Sequence, residues 1–141
     1  MATASRWRGP GASRRHADDL ALLLDAEGLE RVTVVGMSMG GFVAMALAER
    51  HPQRVESLVG DATDVYFGEP DWARVSQPIR FLRAESGVGR GTPPAYAAAD
   101  LERFAPATAR TVALDGVDHA ASIMGPRGAT AAAELVRETL A

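Results

Sequence analysis

The chain has 141 residues, of which 47% are hydrophobic, and a formal net charge of −3, which suits one domain with a sizeable core. It contains no cysteine, so disulfides, thiolate zinc sites and cysteine nucleophiles are excluded. Every basic residue is an arginine and no basic stripe follows the first fifteen positions, which argues against nucleic-acid binding.

The N-terminal part of the chain divides into an irregular segment and a helix. Residues 1–13 are rich in Arg, Gly, Ala and Ser and predict irregular structure, whereas residues 14–141 predict a single domain. Ser13 is suited to cap a helix over residues 14–27, and Gly28 ends it. The apolar residues of this helix recur at helical spacing: Ala17, Leu20, Ala21 and Leu24.

Residues 31–41 read as a buried strand, a tight turn and the start of a helix. The strand is predicted over residues 31–35 because valines dominate it, and the helix over residues 39–50, ending before Pro52. The turn has the pattern G-x-S-x-G, in which Gly36 and Gly40 leave room for a sharp bend. Such a nucleophile elbow exposes the hydroxyl of its serine, Ser38, at the edge of a sheet.

The remaining elements alternate between strands and helices. Strands are predicted over residues 55–59, 79–83 and 111–114, with a turn at Asp115-Gly116 after the last of them. Helices are predicted near residues 95–104 and from Pro126 to the end of the chain. This alternation favours a parallel sheet covered by helices on both faces.

Four stretches of the chain resemble the α/β-hydrolase family, quite closely its small bacterial esterase-like members. Residues 16–32 resemble the helix and turn before the family's fifth strand, and residues 36–41 resemble its elbow. Residues 48–55 and 116–119 resemble the entry to its sixth strand and the histidine loop after its eighth. The resemblance implies a partial α/β-hydrolase fold with a mostly parallel sheet of about four strands, without the family's earlier strands and lid.

The resemblance also implies a catalytic pair. Ser38 carries over as the nucleophile and His119 as the general base, because a serine hydroxyl attacks well only when a base removes its proton. The backbone N–H of Met39, at the start of the helix after the elbow, is expected to donate to the oxyanion. A second donor would come from the family's earlier strands, so we expect weak activity.

The acid of the triad has two placements in this family, and the sequence leaves them open. Residues 83–87 resemble the segment after the family's seventh strand, with Gly87 at the position of the usual aspartate and Glu85 two residues before it. Asp61 follows the predicted strand over residues 55–59. Glu85 and Asp61 are equal candidates, with Asp64 behind them. Asp118 is disfavoured because the side chains of adjacent residues diverge.

The leading hypothesis is a serine hydrolase that cleaves small carboxylic esters through an acyl-serine intermediate. The alternatives are a catalytically inactive, hydrolase-like binding module and an acyltransferase or cofactor-free haloperoxidase-like activity at the same serine. We expect no metal or other cofactor, no membrane partner and a cytoplasmic location, since no leader or spanning segment is evident. The strand over residues 31–35 would lack its usual neighbour, so we expect self-association through that edge.

Overall fold

The computed structural model describes residues 12–61, 74–89, 91–94 and 109–141, which form one parallel sheet between helices. In chain order the elements are α1 (Ala12–Ala26), β1 (Val32–Gly36), α2 (Met39–Arg50), β2 (Val55–Gly60), β3 (Ile79–Ser86), β4 (Ala109–Asp118), α3 (Ala121–Met124) and α4 (Pro126–Leu140). A 3-10 turn, Pro52–Arg54, joins α2 to β2. Within the described ranges, no helix has the length and apolar character needed to cross a membrane.

The sheet has the order β1-β2-β3-β4, and every neighbouring pair of strands is parallel. This confirms the predicted fold class. In a parallel sheet all the strands end at the same edge, which is where ligands bind in open α/β folds. The segments that follow β1, β2 and β4 therefore meet at one carboxyl edge, and they carry Ser38, Asp61 and His119.

Both faces of the sheet are buried, each under a separate hydrophobic core. Successive side chains of one strand point to opposite faces and so contribute to both cores. In β2, Leu58 belongs to the core with α1 and α2, whereas Val59 belongs to the core with α4. In β3, Phe81 and Leu82 divide in the same way. Helices therefore cover the two faces, as the sequence predicted.

Three local predictions need correction, and the first is the length of β3, which runs to Ser86 and does not end at residue 83. Helix α1 begins at Ala12, so Ser13 lies inside its first turn, buried, and does not precede the helix. Strand β4 does not end at the predicted turn: between the pairs Ala84–Leu114 and Ser86–Asp118 the register shifts. Gly116, with φ of 70°, makes a bulge there, and the strand continues to Asp118. The helix predicted near residues 95–104 and the segment 1–11 lie outside the described residues.

Strand β1 lies at one edge of the sheet formed by the described residues, where it pairs with β2 alone. Its Val35 is 47% exposed. Such an edge offers unpaired backbone groups to another strand. Self-association through this edge stays a prediction, which size-exclusion chromatography at tens of micromolar tests.

Candidate active site

The turn between β1 and α2 holds Ser38 in a backbone conformation that serine rarely adopts. Its φ is 55° and its ψ is −120°, and among the described residues it is the one non-glycine with positive φ. The carbonyl of Met37 accepts the N–H of Gly40 at 2.8 Å, and the carbonyl of Ser38 accepts that of Gly41 at 3.0 Å. A residue held in this way costs about 1–3 kcal/mol and persists only where the surrounding structure enforces it. This is the geometry of a nucleophile elbow.

Close backbone contacts explain two glycines next to the serine. A Cβ on Gly36 would lie 2.5 Å from the carbonyl oxygen of Gly40, so the turn requires glycine at 36. Gly60, at the end of β2, has φ of 148°, and its Cβ would lie 1.8 Å from the carbonyl oxygen of Gly36. At Gly40, by contrast, a Cβ meets none of the described atoms beyond the helix's own backbone within 4 Å. The prediction that glycine leaves room for the sharp bend is therefore correct for Gly36 and wrong for Gly40.

Asp61, the first residue after β2, joins the elbow to the histidine. Its Oδ1 accepts the backbone N–H of Ser38 at 3.0 Å, and its Oδ2 lies 2.9 Å from Nδ1 of His119. The hydroxyl of Ser122 also contacts Oδ2. Asp61 is 4% exposed, and a carboxylate buried this deeply needs such partners because an unpaired buried charge is very costly. One carboxylate thus binds both the serine's backbone and the imidazole.

His119 is fixed at both its backbone and its ring. It is buried, its N–H donates to the carbonyl of Gly87 at 3.2 Å, and its Nδ1 faces Asp61. A carboxylate at Nδ1 favours the tautomer that carries its proton there, which leaves Nε2 as an acceptor. In that tautomer Nε2 carries a lone pair, which is what proton transfer to the ring requires.

Glu85, the other candidate acid, lies apart from the imidazole contacts. Its carboxylate accepts the backbone N–H of Gly116, in the bulge of β4, and its side chain is exposed. It lines a cavity of about 680 Å³ together with Asp118 and Thr92. In the structure, therefore, Asp61 contacts His119, whereas Glu85 accepts a hydrogen bond from the bulge of β4.

Two further acidic residues complete the account of the candidates. Asp118 accepts the N–H of Ala121, the first residue of α3, at 2.9 Å and so pairs one of the N–H groups that have no acceptor within the helix. Asp64 lies outside the described residues.

Met39 is the first residue of α2. The first N–H groups of a helix have no acceptor within that helix and lie at the positive end of its dipole. The N–H of Met39 is therefore suited to stabilise negative charge next to Ser38, and its role as an oxyanion donor stays a prediction.

Ser122 was not singled out by sequence reasoning, and neither was helix α3. Its hydroxyl lies 2.7 Å from the carbonyl oxygen of His119 and contacts Oδ2 of Asp61. The available signal was Asp118, since an aspartate just before a helix often accepts one of its first N–H groups.

The sequence also matches a known family. The model of the alpha/beta hydrolase fold matches residues 3–112, and the chain belongs to that family. The match ends inside β4, before His119, so the position of this histidine relative to Asp61 comes from the structure alone.

One of the curated relatives is a lipase. A segment of 55 residues, 39% of this chain, is 46% identical to the lipase LipV of Mycobacterium tuberculosis and covers 21% of that protein. The match thus spans about a fifth of the curated relative's length.

Two solved structures share the fold. A CIB-like hydrolase from Thermoplasma acidophilum superposes with a TM-score of 0.71 at 17% identity, over 93% of this chain and 61% of that one. Naproxen esterase from Bacillus subtilis gives a TM-score of 0.68 at 16% identity, over 89% of this chain and 65% of that one. At these identities the likeness concerns the fold.

Proposed function

We propose that this chain is a serine hydrolase that cleaves carboxylic esters through an acyl-serine intermediate. The observation that carries the proposal is the carboxylate of Asp61, which binds the backbone N–H of Ser38 on one oxygen and Nδ1 of His119 on the other. Family membership and a lipase among the relatives support the choice of an ester as substrate.

In the proposed first half-reaction, Nε2 of His119 takes the proton of the Ser38 hydroxyl as the oxygen attacks the ester carbonyl. The carbonyl oxygen becomes negative, and the N–H of Met39 donates to it. Collapse of this intermediate breaks the bond to the alkoxide, which receives the proton from His119 and leaves as the alcohol. The acyl group remains on Ser38.

Hydrolysis of the acyl-serine repeats the same steps with water. His119 takes a proton from water as its oxygen attacks the acyl carbon, and the proton then returns to the oxygen of Ser38. The products are the carboxylic acid and the free enzyme. Throughout, Asp61 holds the imidazole in one tautomer and stabilises its charged form.

Covalent labelling with a fluorophosphonate, followed by mass spectrometry of the modified peptide, tests the proposal. We expect one adduct, on Ser38, that is lost in Ser38→Ala. The matched control is Ser76→Ala, which removes an exposed serine and should label at the parental rate.

Other results would overturn or redirect the proposal. Folded protein that takes up no label at Ser38 would contradict it and favour the inactive binding module. Labelling of Ser38 in one sample would favour the acyltransferase instead if unlabelled protein, given an ester and an added alcohol, transferred the acyl group to that alcohol with no free acid formed.

A further inference from the structure

We infer that Ser122 is a positioning residue of this site: its buried hydroxyl holds the carboxylate of Asp61 in line with His119. The inference rests on the proposed function and adds a fourth side chain to the serine, histidine and aspartate. Three observations carry it, namely the contacts of the hydroxyl, its burial and the packing that fixes its backbone.

The contacts of the hydroxyl show where its proton goes. Oγ of Ser122 has two acceptors within reach, Oδ2 of Asp61 and the carbonyl oxygen of His119, but only one proton to give. Bonds to an ionised acceptor are about twice as strong as bonds between neutral groups. The hydroxyl of Ser122 therefore donates its proton to a hydrogen bond with Oδ2 of Asp61. The carbonyl of His119 accepts the backbone N–H of Ser122 at 3.4 Å instead.

The bond from Ser122 completes the surroundings of a buried charge. Oδ1 of Asp61 accepts from Ser38, while Oδ2 accepts from both His119 and Ser122. Ser122 is 0% exposed, so water does not replace its hydroxyl without opening the core. Without this donor, Oδ2 would keep only its bond to the imidazole, and the carboxylate would be fixed less firmly in line with His119.

The backbone of Ser122 is fixed by the close approach of two helices. A Cβ on Gly128, in α4, would lie 2.2 Å from the carbonyl oxygen of Ser122 and 2.3 Å from that of Ala121. The hydrogen bond from the N–H of Ala121 to Asp118 fixes the start of α3 from the other side. The hydroxyl is thus presented by a rigid corner, as a positioning group requires.

The test compares Ser122→Ala with Ser57→Ala. Ser57 is equally buried and shares a hydrogen bond of 3.0 Å with the hydroxyl of Thr33, but it lies four residues before Asp61 in β2, about 13 Å along the strand. Both variants should lose stability, and Ser122→Ala should lose more, because its hydroxyl bonds an ionised acceptor. We expect Ser122→Ala alone to slow fluorophosphonate labelling of Ser38 about tenfold, the size expected for one hydrogen bond to a charged group.

A spectroscopic readout separates this inference from the proposed function. The Nδ1–H resonance of His119, assigned by its loss in His119→Gln, reports the bond to Asp61 whether or not the protein is labelled. We expect it to move in Ser122→Ala and to stay in place in Ser57→Ala. If the parent protein took up no label, the proposed function would be contradicted, but the Nδ1–H resonance would still test the contact between Ser122 and Asp61.

Ser122→Cys keeps the volume of the side chain nearly unchanged and offers only a weak S–H donor, so it covers the case in which Ser122→Ala does not fold. It should move the resonance in the same direction. An unmoved Nδ1–H resonance in the folded variants, with labelling at the parental rate, would overturn the inference and leave Ser122 as a packing residue.

Discussion

The carboxyl ends of β2 and β3 each carry an acidic residue, Asp61 and Glu85, but of these two only Asp61 contacts His119. Asp61 is the first residue beyond its strand and is buried against His119. Glu85 still lies inside β3, which runs to Ser86, and the alternation of the strand turns Glu85 outward while Ala84 is buried. Where a strand ends therefore decides which carboxylate enters the site, and one residue of extension reverses the direction of the side chain.

The largest test of this comparison is Asp61→Asn. The amide replaces one carboxylate oxygen by an NH2 donor, which would face either the backbone N–H of Ser38 or Nδ1 of His119. An NH2 facing Nδ1 favours the imidazole tautomer that carries its proton on Nε2, which is the wrong one for a general base. By analogy with the serine protease triad, we expect a loss of about 10⁴-fold in ester hydrolysis. Glu85→Gln is the matched control and should change the rate less than about twofold, because Glu85 contacts the bulge and not the imidazole. A comparable loss in both variants would end the distinction between the two carboxylates.

The next test breaks the strand end that places Asp61. Gly60→Ala forces a side chain to within 1.8 Å of the carbonyl of Gly36 at a φ of 148°, and it should destabilise the protein by about 3 kcal/mol or more. Gly40→Ala is the control, since a Cβ there has open space among the described residues, and it should leave stability within about 1 kcal/mol of the parent. Denaturant unfolding monitored by circular dichroism measures both. Equal stability of the two variants would contradict the proposed crowding between β1 and β2.

The smallest effect concerns an exposed carboxylate with ionic partners, Asp18 in α1. Hydrogen bonds from Arg50, and then from His51, hold the pKa of Asp18 below the usual range of an aspartate. Because the folded-state pKa is lowered, these bonds stabilise the protein above the pKa of the unfolded aspartate, about 3.9, and that contribution is lost as the pH falls through the folded value.

We therefore expect Asp18→Asn to lower the thermal midpoint at neutral pH by about 2 °C or less, since exposed ion pairs contribute little. Thermal melts of the parent and variant across the acid range should converge below the folded-state pKa of Asp18. A variant that stays less stable by the same amount at all pH values would show that Asp18 acts by packing and not by charge.

The elements that the sequence predicted well are those whose signal is local. The strand before the elbow follows from its clustered valines, and the elbow follows from Gly36, where a close backbone contact requires glycine. The end of the helix Met39–Arg50 follows from Pro52. The alternation of strands and helices likewise predicted a parallel sheet, and therefore one edge where Ser38, Asp61 and His119 could meet. Periodicity and turn chemistry act over a few residues, so a sequence displays them directly.

Contacts between segments distant in the chain were decided only by the tertiary structure. The choice of Asp61 over Glu85 depended on how far β3 extends, which its pairing with β4 sets. The hydroxyl of Ser122 reaches a carboxylate 61 positions earlier in the chain because Gly128 lets α4 pack against α3. Hydrogen bonds between such distant residues leave no regular spacing in the sequence. The packing of whole helices and strands brings the two residues within hydrogen-bond distance.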